Sequence, residues 1–248
     1  MRYLILSDIH ANLQALEAVL DDALRRGYDQ TLILGDLVGY GADPEPVIAR
    51  TFALTPAASV RGNHDKVCAG LASASDFNDV AQHSILWTRD VLPPHAMTAL
   101  RALPEGPVSV GADLEICHGS PFDEDFYVFG PRDASLALAA ASLPICLFGH
   151  THQPAIFVAR GSYASFVEPD DDGEGWVWEI PLERRVLVNV GSVGQPRDGD
   201  PRAAYGLLDT ETRVVESRRV DYNIAEAQRR ILDAGLPLRL ATRLERGV

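Results

Sequence analysis

Short apolar runs alternate with polar, glycine-marked breaks through the first two thirds of the chain. Tyr3-Leu4-Ile5-Leu6, Thr31-Leu32-Ile33-Leu34, Leu114-Glu115-Ile116-Cys117 and Ile145-Cys146-Leu147-Phe148 have the length and content of buried strands. After the first run, Leu13, Leu16, Leu20 and Leu24 recur at helical spacing, with Glu17 and Asp21 on another face. Asn12 is placed to cap that helix and Gly27 to stop it. Pro44 to Leu54 reads as a second helix, and Ser59-Val60-Arg61 as a strand leading into Gly62-Asn63-His64-Asp65. A long helical pattern near Phe77 to Leu92 ends at Pro93-Pro94, and a shorter one covers His95 to Leu103. Strands at about 107 to 117, a helix at about 132 to 142 and a strand at 144 to 148 follow.

Beyond His152 the pattern changes. Ala155 to Arg160, Trp176 to Ile180, Arg185 to Val190, Tyr205 to Asp209 and Arg213 to Val220 are β-like runs separated by turn residues, which suggests antiparallel pairing. Helices are expected near Ile224 to Asp233 and Leu238 to Glu245. An αβ half followed by a β-rich half fits an α/β fold of two packed sheets flanked by helices. With no internal repeat and no linker, residues 1–248 are expected to form one domain. The acidic stretch Asp170 to Gly175 departs from calcium-loop spacing and reads as a solvated hairpin tip.

Charge narrows the function. A net charge of -13 argues against a nucleic-acid-binding surface, because grip on phosphate backbones rests on Lys and Arg. No segment has the roughly 20 apolar residues of a membrane helix, and the N-terminal apolar run is too short for a signal peptide. Cys68, Cys117 and Cys146 form no C-x-x-C pair and read as small buried residues of a reducing compartment. A cytoplasmic protein that begins near Met1 is expected.

The chemistry lies where the apolar runs stop. Asp8 and His10, Asp36, Asn63 with His64, His118, and His150 with His152 each follow a strand-like run, with Gly35, Gly62, Gly119 and Gly149 beside them. Carboxylate, imidazole and amide oxygen without thiolate suit Mn, Fe, Co, Ni or Zn. If the strands lie side by side, the motifs meet at one sheet edge, outside the carboxyl ends where α/β folds bind ligands. The helix that starts after His10 would aim free backbone N–H groups at an anion there. His83 and His95 fall outside every motif and read as surface or core residues.

The ordered set Asp8-Ile9-His10, Gly35-Asp36, Gly62-Asn63-His64-Asp65, His118-Gly119 and Gly149-His150-Thr151-His152 resembles the calcineurin-like metallophosphoesterases. Asn189 to Arg197 is similar to a segment of the small bacterial YfcE-like phosphodiesterase group. The resemblance implies a four-layer α/β/β/α sandwich of two mixed sheets. It implies two divalent transition-metal ions, Mn favoured, with Ni, Co, Fe or Zn as options. Asp8, His10 and His152 would hold the first, Asn63, His118 and His150 the second, and Asp36 would bridge them. The implied nucleophile is a metal-activated hydroxide, with His64 as the general acid. Where the protein phosphatases of the family have Gly-Asp-x-Val-Asp-Arg-Gly, this chain has Gly35-Asp36-Leu37-Val38-Gly39-Tyr40-Gly41, which lacks the acid-orienting aspartate and the phosphate-gripping arginine. Asn12, Arg61 and Arg197 are the candidate substrate contacts. The expected activity is hydrolysis of a small-molecule or nucleotide phosphodiester. A phosphomonoesterase or dinucleoside polyphosphate hydrolase with the same site, or a non-catalytic binding scaffold, are the alternatives, and self-association of the chain is left open.

Overall fold

Within β1 (Arg2–Leu6), Leu4 and Leu6 point to one face and Ile5 to the other, and all three are fully buried. A strand buried on both faces has to be covered on both, and the computed structural model, which describes residues 1–248, shows how. Leu4 and Leu6 pack with Leu16, Val19 and Leu20 of α1 (Leu13–Arg26) and Val47 and Ile48 of α2 (Pro44–Ala53). Ile5 joins Leu32 of β2 (Gln30–Ile33) against a second sheet. That sheet contributes Ile116 of β5 (Leu114–Ile116), Leu147 of β6 (Ile145–Leu147) and Val186 and Val188 of β10 (Val186–Asn189). On its far face, Cys146, Phe157 and Leu187 meet Ala134, Ala137 and Leu138 of α6 (Pro131–Ala140). The outcome is helix, sheet, sheet, helix, the layering that the resemblance implied.

Both sheets have six strands and both are mixed. The first has the order β3 (Ala58–Ser59), β2, β1, β11 (Ala203–Asp209), β12 (Val214–Val220), β9 (Gly175–Glu179). The second has the order β4 (Val108–Val110), β5, β6, β10, β7 (Ala155–Arg160), β8 (Tyr163–Val167). Parallel pairing joins β1 to β2 and β2 to β3 in one sheet, and β5 to β6 and β6 to β10 in the other. The remaining pairs are antiparallel, as the later runs suggested.

Two expectations change. The motifs do not end on one sheet: Asp8, Asp36 and Asn63 follow β1, β2 and β3 of the first, whereas His118 and His150 follow β5 and β6 of the second. The β-rich half is likewise shared out, three strands to each sheet. Parallel pairing inside each sheet and face-to-face packing between them bring all five strand ends to one end of the sandwich.

Helix α3 (Asn63–Cys68) and strand β8 were not anticipated. Helices α4 (Asp79–Val91) and α5 (Pro94–Arg101) flank the first sheet, and α7 (Ile224–Asp233), α8 (Leu238–Thr242) and a 3₁₀ turn at Leu244–Arg246 pack against Tyr40 and Ala81. No helix is long and apolar enough to cross a membrane.

Candidate metal centre

The loops after the strands adopt a backbone that side chains rarely favour. Asp8, His10, Asp36, His150 and His152 all have left-handed φ, from +49° to +67°. Each such residue costs on the order of 1–3 kcal/mol and persists only where its surroundings over-determine it. Here they do. The amides of Asp8, His10 and Ala11 donate to the carbonyls of Gly35, Asp36 and Leu37, so the first two motif loops are laced together. A Cβ on Gly62 would stand 2.0 Å from Asp36 Oδ1, so only glycine lets the third loop close over that carboxylate.

The side chains converge in two groups that share Asp36. Donor atoms of Asp8, His10, Asp36 and His152 lie within 4.8 Å of one another, and so do those of Asp36, His118 and His150. Asp36 Oδ2 is 3.5 Å from His10 Nε2 and 3.4 Å from His118 Nε2. Asp8 Oδ1 is 3.4 Å from His152 Nε2, and Asn63 Oδ1 is 3.3 Å from His118 Nε2.

Hydrogen bonds behind the rings fix where the protons sit. His10, His118 and His152 each donate from Nδ1 to a backbone carbonyl, of Val38 (3.0 Å), Leu34 (2.7 Å) and Gln195 (2.6 Å). His150 donates from Nε2 to Asp125 O at 3.2 Å. A carbonyl can only accept, so in each neutral ring the opposite nitrogen presents a lone pair to the cluster. Two pairs of such nitrogens then face each other at 3.1 Å, His10 with His152 and His118 with His150. Lone pairs at that separation repel unless a cation lies among them.

Burial favours neutral rings: it holds His10 and His152 well below the usual histidine range and lowers His150 to about 3. His118 differs. Burial opposes its charge, but Asp36 beside it outweighs burial and pushes it up to about 10. Burial also raises the Asp8 carboxyl to about 6, with His118 opposing. Neither Asp8 nor Asp36 pairs with a lysine or arginine, so His118 is the one positive partner of two buried carboxylates. Lone pairs, carboxylates and an amide oxygen aimed at two points, with positive charge in deficit, fit divalent cations.

The wider comparisons agree with this chemistry. Residues 1–213 match the calcineurin-like phosphoesterase superfamily domain. The chain belongs to the calcineurin-like phosphoesterase superfamily. It is 39% identical to a metallophosphoesterase from Sphaerobacter thermophilus, with a TM-score of 0.87 and 100% of each chain covered. It is 34% identical over 245 residues to an uncharacterized protein of Methanocaldococcus jannaschii, covering 97% of this chain and 96% of that one. It is also 25% identical over 211 residues to the phosphodiesterase YfcE of Escherichia coli, covering 85% of this chain and 89% of that one.

As a calcineurin-like phosphoesterase, the chain handles His64 without the aspartate that the protein phosphatases use. The His64 ring packs against Tyr40 and Phe77, with ring centroids 4.4 Å and 4.7 Å away. Its Nδ1 is buried without a partner, and a Cβ on Gly39 would lie 2.3 Å from that atom. Gly39, at φ +86°, therefore makes room for the ring. Burial lowers His64 to about 4, against the pull of Asp36.

The three candidate substrate contacts separate. Arg197 lines a cavity of about 110 Å³ over the cluster, together with Asn63, His64, Phe77, His150 and His152. Arg61 is held elsewhere, by two 2.8 Å bonds to Glu124 and one of 3.2 Å to Glu105. Asn12 has both ends of its amide engaged, accepting from Ala15 N at 3.1 Å and donating to Gly194 O at 2.9 Å. It is a helix cap, worth ~1 kcal/mol, that also fastens the 194 loop.

Further residues, some inside the quoted motif segments, support the site. Asp65 accepts from the amides of Leu37, Val38 and Gly62 and so holds the Asp36 loop to α3. Asn189 donates to Gly149 O and Thr151 Oγ1, and Ser192 donates to Asp8 O, bracing the His150–His152 loop and Asp8 from β10 and the turn after it. The Tyr127 ring stacks on His150 with centroids 3.8 Å apart.

Proposed function

We propose that the chain is a binuclear metallophosphoesterase that hydrolyses a small-molecule phosphodiester. The observation that carries this reading is the pair of donor groups joined at Asp36. Asp8, His10 and His152 would hold one divalent cation, Asn63, His118 and His150 the other, and Asp36 both. Two cations so held polarise phosphoryl oxygens and lower the pKa of a bound water towards neutrality. Mn is the favoured metal, by family resemblance.

The residues around the cluster supply the remaining functions. Arg197 is the one arginine lining the cavity above it, positioned to orient a phosphoryl oxygen. His64 faces the same cavity, and an anionic phosphate entering there favours the charged imidazole, which can then pass its Nε2 proton to the leaving oxygen. Gly39 and Tyr40 stand where the protein phosphatases carry the aspartate and arginine, so one grip on a dianionic monoester is missing. A monoanionic diester needs less. The named activity of YfcE, a phosphodiesterase, supports the same preference.

The test is turnover of matched aryl diesters and monoesters with Mn, Ni, Co, Zn and Mg, alongside metal analysis. A higher kcat/KM for the diester, two transition-metal ions per chain and reversible loss of activity on chelation are expected. A monoester preferred under the same metal would overturn the diester assignment and favour a phosphomonoesterase.

A further inference from the structure

A second, larger cavity of about 520 Å³ adjoins the one over the cluster, and Tyr40, Asn78, Tyr127 and Arg197 line both. Arg239 and Arg243, from the C-terminal helices, line the larger cavity alone. Both lie beyond residues 1–213, the span that matches the superfamily domain.

Three arginines line one cavity of a chain with 35 acidic residues against 22 basic ones, in contrast to Arg202, Arg218, Arg229 and Arg230, each of which pairs with a carboxylate. Arg197, Arg239 and Arg243 form no ion pair with a side-chain carboxylate. Arg197 bonds Gln195 Oε1 at 3.1 Å and reaches Tyr40 OH at 3.5 Å, while its buried Nε has no partner. Arg243 donates from Nε to Val248 O. The guanidinium carbons of Arg197 and Arg243 stand 5.7 Å and 5.8 Å from the centroid of the Tyr40 ring. Burial, and then Arg197, lower Arg243 to about 10. The single carboxylate in the lining, Asp79, pairs with none of them. Three guanidiniums that face one cavity with no side-chain carboxylate paired to them favour an anion there.

We propose that the Arg197–Arg239–Arg243 cavity binds a second phosphate of the substrate, so that the molecule hydrolysed carries a diphosphate or a further phosphate beyond the reacting ester. This rests on the phosphoesterase reading for which end reacts. Arg197, at the junction, touches the reacting end, whereas Arg239 and Arg243 are reached only by a group extending past it. A cavity of about 520 Å³ on a chain with a net charge of -13 suits a small molecule rather than a nucleic acid.

The experiment compares Mn-loaded wild type with Arg239→Ala/Arg243→Gln. Binding of a nucleoside 5′-(α,β-methylene)diphosphate and of the matched 5′-monophosphate is measured by calorimetry, and kcat/KM is measured for an aryl phosphodiester with and without a tethered terminal phosphate. Wild type should prefer the two-phosphate member of each pair by about tenfold or more, less so at high salt, and the double variant by under about threefold. Because Arg243 anchors the last turn of the fold, Arg239→Glu, exposed on α8, is the second variant and should also shrink the preference. Equal binding of the mono- and diphosphate by wild type, or a preference that neither variant alters, overturns the subsite. Failure of the underlying reading looks different: the diphosphate preference persists in binding, but no ester is turned over with any metal.

Discussion

Asp8, His10 and His152 are crossed by a strap of backbone that leaves only His152 on the cavity over the cluster, whereas in the second group Asn63 and His150 line the cavities and His118 is fully buried. In the first group the residues are 0–2% exposed, and the turn after β10 crosses them. Val193 N and Gly194 N donate to Ser7 O and Asp8 O, and Gln195 O receives the His152 ring. In the second group, Asn63 and His150 line the cavities, and a half-exposed Tyr127 covers His150. One half of the cluster is thus crossed by main chain bonded to Ser7 and Asp8, whereas two ligands of the other, the rim half, Asn63 and His150, reach the cavities. A cation in the first half should exchange slowly and serve position, and one in the second should exchange faster and sit nearer the leaving group.

The sharpest way to break that contrast is to remove what the halves share. Asp36→Asn should weaken both sites together and lower turnover on the order of 10⁴-fold, about 5.4 kcal/mol. Metal content and kcat measured on the same preparation decide it. Loss of one ion with the other retained at full occupancy would mean that Asp36 serves a single site.

Next in size is His64, beside the rim half. His64→Ala should leave metal content intact and lower kcat by roughly 10²- to 10⁴-fold with a poor leaving group, but much less with nitrophenolate. Gly39→Ala, which drives a methyl into the ring, should reproduce the leaving-group dependence in milder form. Equal losses for both leaving groups would show that His64 positions substrate or ligand rather than delivering a proton.

These residues also show what was readable in the chain. The motif residues announce themselves because strand-like runs end in unusual polar pairs flanked by glycine. The runs do not say which sheet they join: Ile5 and Ile116 look alike in sequence but face each other across the interior from different sheets. Strand β8 shows no clear alternation, because Tyr163 and Phe166 are both exposed although they lie on opposite faces, and only Ala164 is buried. Helix α3 is too short to show a period. Tyr127, Phe77 and Ser192 act through packing and backbone bonds, and nothing local distinguishes them from other loop residues. The pairing of Arg61 with Glu124 is invisible in the chain because the two lie 63 positions apart.

A third test sharpens the contrast directly. Ser192→Ala removes the bond to Asp8 O and the acceptor for Gln195 N, so it should weaken metal binding at the strapped half by about 10- to 100-fold, the scale of groups that orient ligands. Tyr127→Leu should alter the rim half instead, and by less. Two-phase metal release followed by stopped-flow chelation separates the halves. If Ser192→Ala speeds the fast phase and not the slow one, the assignment of slow exchange to the strapped half is wrong.

The smallest expected effect separates the two arginines. Arg197→Ala should raise KM for a diester several-fold, about 1 kcal/mol, without releasing metal, because it removes one charge-assisted contact at the mouth of the cluster. Arg61→Ala should leave KM nearly unchanged and instead lower Tm, because it strips a buried Glu124 of its bidentate partner and leaves Lys66 to balance it. The opposite result, a KM effect at Arg61 and a Tm effect at Arg197, would mean that substrate enters from the Glu124 side, along the outer wall of α3. The rim would then lie on the opposite side of His150 from the three-arginine cavity.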